Sequence, residues 1–411
     1  MTKILFVHRH FPGQFKHLAA TMARSGAYEV AALHGRPGMP AMLEGVTLHE
    51  YVPARGSAEG VHPWVGHFES QVILGEAAYR KAVTLRAGGY MPDAIIGHPD
   101  WGELMFLRDA WPEARLGLYC ELYGRPTQSH WDFDPEFAQA HRDAALITRI
   151  MNVPVELSFA QAAGGLSPTH WQADGFPAHM RPRITVAHDG IDTQRLVPHP
   201  GVTIQPRPGL ALTRRDEVVT FVSRTLEPYR GFHRFLRALP ELLRKRPRAH
   251  VIIVGRDREG YGSPPPEGTW RALYEAELNA SLPAEARACV HFVGTVPYDA
   301  FVAILQLSTV HVYLTVPYVL SWSLLEAMSA GCAIVASDTA PVREVVTHEK
   351  TGLMVDFFDT GALAGAIDRL LGDAPLRARL GTAARAHAVG NYDVRSCVPA
   401  QARWVAGIAL G

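Results

Sequence analysis

The chain is 411 residues long, 47% hydrophobic and 19% charged, which allows two domains of roughly 200 residues, each able to bury its own core. Forty basic and forty acidic side chains give a formal net charge of zero. Bulk attraction to nucleic acid or to an anionic membrane is therefore not expected, and any anion site must be a local cluster.

Four cysteines, Cys120, Cys289, Cys332 and Cys397, stand far apart with no Cys-x-x-Cys. No disulfide framework or zinc knuckle is expected, and a reducing cytoplasm fits. The opening MTKILFVHRHFPG has one Lys and a short apolar run at residues 4–7; it reads as a buried first strand and not as a signal peptide. No apolar run approaches the roughly 18 residues of a membrane span, so a soluble or at most peripheral protein is expected.

A polar loop at 8–13 leads into a helical pattern over 14–24, and strands are predicted at 30–33, 94–97 and 116–120. Residues 201–216, with Gly201, Pro206, Pro208 and Gly209, have the composition of a linker. The pattern then restarts with a strand at 218–222 and a long helix at 232–244. Further strands follow at 250–254, 290–293, 310–314 and 333–336, the last preceded by a helix carrying Leu324, Leu325 and Met328. The loop 256–269, with Pro264-Pro265-Pro266, is too long for a simple connector. Alternating strands and helices predict two doubly wound parallel sheets, whose ligands sit at the carboxyl ends of the strands.

Those ends hold the candidate residues. In the first loop Gly13, followed by Gln14, can bring a bare backbone N–H to a phosphate at a helix start; an ordinary turn explains the glycine equally well. In the first loop of the second half, Arg224 at the strand end and Arg230 before the next helix could grip a diphosphate through paired charge-assisted hydrogen bonds. Ser323-x-x-Glu326 reads locally as a capping box. It also sets a helix N-terminus at a strand end, where open N–H groups on Ser321, Trp322, Ser323 and Leu324 would suit an anion.

The run Leu324-Leu325-Glu326-Ala327-Met328-Ser329-Ala330-Gly331-Cys332-Ala333-Ile334-Val335-Ala336-Ser337 resembles the signature of the family-4 retaining glycosyltransferases of GT-B fold. Pro341-Val342-Arg343-Glu344-Val345-Val346, Thr351-Gly352-Leu353-Met354-Val355, the strand-loop 221–231 and His188-Asp189-Gly190-Ile191-Asp192 are similar to the same family. The resemblance is strong over the second half and more diffuse over the first. It implies an α/β fold of two Rossmann-like doubly wound domains facing across a cleft. The expected division is an acceptor-side domain at 1–195, a linker at 196–216, a nucleotide-sugar domain at 217–392 and a C-terminal helix at 393–411 returning to the first domain.

Carried over by motif, the resemblance implies that Glu326 hydrogen-bonds the donor ribose and that Arg224 and Arg230 bind its diphosphate. Backbone groups of Leu320, Ser321, Trp322 and Ser323 would meet the sugar or phosphates. Val293, Gly294 and Arg256 would border the base, and Gly13 and Gln14 would close over the diphosphate. Two positions depart from the family. Tyr318 stands where a Glu usually contacts the donor sugar, and Glu121 stands where many members carry a His. His98, at another strand end, is the second polar candidate facing the sugar.

The implied activity is retaining transfer of a sugar from a UDP- or GDP-sugar to a glycan, lipid-linked or small-molecule acceptor. The leaving diphosphate takes the acceptor proton, and no cofactor or metal takes part. Asp132-Phe133-Asp134 imitates the Asp-x-Asp metal motif of the other glycosyltransferase fold, but Asp134-Pro135-Glu136 reads better as a helix start. Thr169 likewise reads as a helix N-cap. A nucleotide-sugar epimerase, a pyridoxal-phosphate phosphorylase and a non-catalytic nucleotide-sugar binder are the competing readings. None of the five lysines sits at an evident second-half strand end, which counts against the phosphorylase. Arg234, Arg237, Arg244, Lys245, Arg246 and Arg248 could rest a helix on an anionic membrane, although a helix simply covering the sheet explains its leucines as well.

Overall fold

The first apolar run lies inside strand β1 (Thr2–Val7) of a computed structural model that describes every residue except 126–129, 138–142, 259 and 263. The chain divides into two units. Unit 1 comprises Met1–Ser129, His141–Gly190 and Val394–Gly411, and unit 2 comprises His130–Ala140 and Ile191–Asp393.

In unit 1, β1 is joined by β2 (Tyr28–His34), β3 (Met42–Leu43), β4 (Val46–Glu50), β5 (Ala94–Gly97), β6 (Arg115–Tyr119), β7 (Gly164–Ser167) and β8 (Ile184–Val186). Among the described residues these form one sheet of order β3-β4-β2-β1-β5-β6-β7-β8, parallel except for the β3–β4 pair. Both faces of β1 are buried, and its side chains alternate between two cores. Leu5 and Val7 join Leu74, Trp111 and Phe159, whereas Ile4 and Phe6 join Val398 and Val405 of the last helix, Val394–Leu410. Burial on both faces is why the run is continuously apolar. Gln401 of that helix donates to Asp189 Oδ1 at 3.1 Å, and the Tyr119 hydroxyl donates to the same carboxylate at 2.8 Å.

In unit 2 a hairpin stands where a linker was expected. The stretch expected as a linker, residues 201–216, contains an antiparallel pair, β9 (Thr203–Arg207) and β10 (Leu210–Thr213). Gly209, at φ +81°, makes the turn between them. The prolines masked this hairpin, since Pro206 and Pro208 depress strand propensity but are tolerated in an isolated two-stranded pair.

The main sheet consists of β11 (Val218–Thr225), β12 (His250–Arg256), β13 (Val290–Gly294), β14 (Val310–Tyr313), β15 (Ala333–Ser337) and β16 (Leu353–Val355), all parallel in the order β13-β12-β11-β14-β15-β16. The order reverses between β11 and β14, so the loops leaving them diverge and open a crevice at the strands' carboxyl ends.

The helix Phe232–Lys245 packs Phe235, Leu236, Leu239, Leu242 and Leu243 onto β11, with the Phe221 and Phe235 rings stacked at 4.9 Å. Four of the six cations singled out along it are held in ion pairs. Arg234 pairs with Asp134, Arg237 with Glu136 and Glu277, Lys245 with Glu241, and Arg246 beyond its end with Glu217 and Asp368. Among the described residues no helix is long and apolar enough to cross a membrane.

Phe235 is fully buried in this stack. Phe235→Ala is expected to cost about 3–5 kcal/mol of stability through lost transfer energy and the cavity left behind. Urea unfolding followed by circular dichroism checks this; a loss below about 1 kcal/mol would mean that the stack does not carry the packing of this face.

Candidate active site

In unit 2 the last residues of β11 include Ser223 and Arg224, and the loop after it carries the turn Pro228–Arg230, closed by Gly231 at φ +66°. A side chain at Gly231 would overlap Leu314, so the close approach of this turn to the loop after β14 requires glycine. Arg230 is buried. Its Nη1 donates to Val319 O at 2.9 Å, to Thr315 Oγ1 at 3.1 Å and to the Tyr313 hydroxyl at 3.4 Å. Arg224 is exposed. Both guanidiniums sit over the ring of Tyr261, at 4.6 Å for Arg224 and 6.0 Å for Arg230, and Arg230 also lies 5.4 Å from the Tyr318 ring.

A cavity of about 240 Å³ opens beside Arg224, walled by Val254, Gly255, Arg256, Val296, Tyr298 and Phe301. Tyr298 bonds Glu326: its hydroxyl donates to Glu326 Oε1 at 2.8 Å. Burial, followed by the neighbouring Glu326 charge, raises the phenol above its ordinary range. The structure therefore places Arg224, Arg230 and Glu326 at one end of one sheet, with Tyr298 linking Glu326 to the cavity wall.

Three details differ from the sequence expectations. The helix following β14 runs Trp322–Ser329 with Ser321, not Ser323, as its N-cap. Ser323 thus lies inside the first turn, too late to cap, and Glu326 lies too far along to reach back. The capping box is not formed, and Glu326 is available to Tyr298. The N–H groups expected to be open are largely engaged internally, Ser321 N on the Tyr313 hydroxyl at 2.9 Å, Ser323 N on Ser321 Oγ and Leu324 N on Ser321 O. Lastly, Arg256 lines the cavity, but Val293 and Gly294 do not. Gly294, at φ +67°, turns the chain so that Thr295 and Val296 form the wall instead.

Asp134 and Glu136 also occupy unit 2. Asp134 is buried against His233 at 2.9 Å and Arg234 at 2.9 Å, and Glu136 bonds Arg237. Asp134, Glu136 and His233 are close enough to hold a metal ion, but the two guanidiniums already supply their counter-charge. Asp134 O and Oδ1 accept from Phe137 N and Glu136 N in a turn; the helix expected to start here would continue outside the described residues. Thr169 caps its short helix by accepting from Gln172 N.

In unit 1 the reversal of strand order falls between β1 and β5, and the loops after those strands meet that after β6. Gly13, at φ +46°, opens a short 3-10 turn, and a side chain there would overlap the His8 ring. His8 Nδ1 accepts from His10 N at 3.0 Å, so its Nε2 carries the proton toward Gln14 Oε1 at 2.7 Å. Gln14 Nε2 in turn donates to Glu121 Oε1 at 2.6 Å. The other oxygen, Glu121 Oε2, meets His98 Nε2 at 3.2 Å, and the His98 ring stacks on Trp101 at 4.3 Å.

Burial and the nearby His98 charge hold His8 neutral, with its pKa pushed down to about 3. Burial also works against a charged His98. The Asp100 carboxylate, the hydrogen bond to Glu121 and the Glu121 and Glu103 charges outweigh it, and His98 is lifted to about 9. Glu121 is pushed up by burial, but the His98 bond and charge bring it below its ordinary value. Tyr261 and Tyr298 were missed as site residues in the sequence because their partners are distant along the chain; His8 and Trp101 were also missed, although their partners Gln14 and His98 lie close by in sequence.

His98, raised above 6.5, contributes stability that is complete below that pH and declines as pH climbs through about 9. An NMR titration of the His98 Cε1–H is expected to show a midpoint well above 6.5, and Glu121→Gln should move it down. A midpoint unchanged by that substitution would dissociate Glu121 from the charge on His98.

Residues 26–196 match the model described as glycosyl transferase family 4 group, and residues 207–387 that of glycosyl transferases group 1. A D-inositol 3-phosphate glycosyltransferase of Nocardia farcinica is 33% identical over 51% of this chain and 44% of its own length. A GDP-mannose-dependent alpha-(1-6)-phosphatidylinositol monomannoside mannosyltransferase of Mycolicibacterium smegmatis is 31% identical over 54% of this chain and 56% of its own. The chain thus spans about half the length of the curated relatives it matches. Among solved structures, a sucrose-phosphate synthase from Thermosynechococcus elongatus superposes with a TM-score of 0.76 at 16% identity, covering 99% of each chain. Anabaena HepE in complex with UDP and glucose gives 0.69 at 16% identity, covering 99% of this chain and 100% of its own. Two family models covering most of the sequence, on the same fold as these structures, make this chain a family-4 glycosyltransferase of GT-B fold.

Proposed function

We propose that the protein is a retaining hexosyltransferase that takes its sugar from a UDP- or GDP-linked donor bound by unit 2 and passes it to an acceptor hydroxyl on a glycan, lipid-linked or small molecule. The observation that carries this reading is the pair Arg224 and Arg230 over one tyrosine ring, at the strand-order reversal of unit 2. Beside it, the cavity next to Arg224 is of a size for a flat base. Glu326, held by Tyr298, would exchange that phenol for the ribose hydroxyls. The names of the relatives, one GDP-mannose-dependent and others acting on inositol 3-phosphate, support a hexosyl donor and a polyol acceptor.

On this reading the sugar–phosphate bond breaks with negative charge growing on the diphosphate. Arg224 and Arg230 stabilise that charge from fixed positions, which costs no reorganisation at the moment of reaction. A diphosphate oxygen accepts the proton of the acceptor hydroxyl as the new glycosidic bond forms on the same face. The two cations suffice for the charge, and the reading calls for no metal ion. In unit 1, Glu121 is an ionised carboxylate fixed by Gln14 and His98; it would orient a sugar hydroxyl by accepting its hydrogen bond.

A screen of UDP-, GDP- and ADP-sugars by thermal shift should show one donor raising the melting temperature by mass action. With that donor, Arg224→Ala should lower kcat/KM by about 10²-fold, on the scale of removing one oxyanion-stabilising donor. No shift with any donor, or an Arg224→Ala enzyme as active as wild type, would sink the reading. Turnover of the donor without an acceptor into another nucleotide-sugar would indicate an epimerase instead.

A further inference from the structure

The loop 256–269 returns to the ligand end of unit 2 and places Tyr261 there. The Tyr261 ring spans both guanidiniums and touches the Tyr318 ring at 4.9 Å. It is anchored through its backbone: Tyr261 N donates to Glu227 Oε2 at 2.6 Å. Glu227 is itself buried and accepts from Thr225 Oγ1 at 2.6 Å. The residues on either side must lack a side chain. A Cβ at Gly260 would overlap the Glu227 carboxylate and the Thr225 hydroxyl, and Gly262, at φ +85°, would bring one to 2.8 Å from the Tyr229 ring. Gly260 and Gly262 thus let the loop press Tyr261 down on the arginines.

Two guanidiniums at one strand end repel each other, and the repulsion is greatest before an anion arrives. The Glu227 carboxylate feels both arginine charges, but burial lifts it above its ordinary range, and its Oε2 is engaged by Thr225 Oγ1 and Tyr261 N. A tyrosine ring carries no net charge. Its negative face attracts each cation, and the positive potential of the pair remains available. We propose, on the donor reading above, that Tyr261 is a positioning residue. Through its ring face, and not its hydroxyl, it holds Arg224 and Arg230 side by side for the diphosphate.

The test uses the full chain as wild type, Tyr261→Phe, Tyr261→Leu and Gly260→Ala. GDP and UDP are titrated calorimetrically, and guanosine and uridine are followed by saturation-transfer NMR. Tyr261→Phe keeps the ring and should bind the diphosphate within about twofold of wild type. Tyr261→Leu, and Gly260→Ala which lifts the loop, should weaken it by roughly 5–10-fold, as expected from losing a cation–π contact, with nucleoside binding unchanged. Wild-type diphosphate affinity in Tyr261→Leu overturns the proposal. So does a Phe variant as weak as the Leu variant, which would assign the effect to the hydroxyl, and so does an equal loss for nucleoside and diphosphate, which would mean general damage to the loop. A wild type that binds neither diphosphate sinks the donor reading itself, a result distinct from an intact wild-type affinity that Tyr261→Leu leaves alone.

Discussion

The buried guanidinium of Arg230 ties together two loops that the sheet drives apart. Strand order reverses between β11 and β14, so the chain leaving each strand turns away from the other. Arg230 comes from the first of these loops, and its Nη1 bonds Thr315 Oγ1 and Val319 O in the second. A buried cation is tolerated only where its donors meet acceptors, which makes the spacing of the two loops a condition of folding and not only of ligand binding. The Tyr313 hydroxyl receives both Arg230 Nη1 and Ser321 N, so the same tie sets where the helix Trp322–Ser329 begins. That start in turn decides which residue caps the helix and where Glu326 points.

Unit 1 solves a related problem with different chemistry. At its own reversal of strand order, the polar groups form a chain, His8 to Gln14 to Glu121 to His98. The direction of the chain follows from charge. His8, neutral because it is buried, donates from Nε2 to the Gln14 carbonyl; the amide then has only its N–H left to offer Glu121. His98 approaches the other carboxylate oxygen as a cation sustained by Asp100 and Glu121. One unit therefore presents guanidiniums on aromatic faces, and the other a fixed carboxylate beside an imidazolium. The first arrangement suits an anionic leaving group and the second suits hydroxyl groups.

The α/β class and the parallel strands were legible because a strand buried on both faces must be apolar throughout, as at Ile4, Leu5, Phe6 and Val7. Arg224 and Arg230 were legible as candidates for a second reason: residues at the carboxyl ends of such strands are the ones a doubly wound sheet turns toward a ligand. Glu326 stood out only through the family resemblance, since its local pattern reads as a capping box. The hairpin within residues 203–213 was not legible, since its prolines and glycine imitate a linker. The cap was misplaced because Ser321 and Ser323 have equal local claims, and only the hydrogen bond from Ser321 N to the Tyr313 hydroxyl separates them.

Local sequence, then, determined the continuously apolar strands, where the order of elements restarts and which charged residues stand at strand ends, since each depends on neighbours a few positions away; the shorter strands β3, β4, β7, β8 and β16 carry no such run. Tertiary structure alone decided that Tyr298 meets Glu326, that Tyr261 covers both arginines and that Gln14 reaches Glu121. Those partners lie 28, about 30 to 40, and 107 positions apart along the chain. Contacts at such separations are set by how the sheet orders its strands, which no local pattern records.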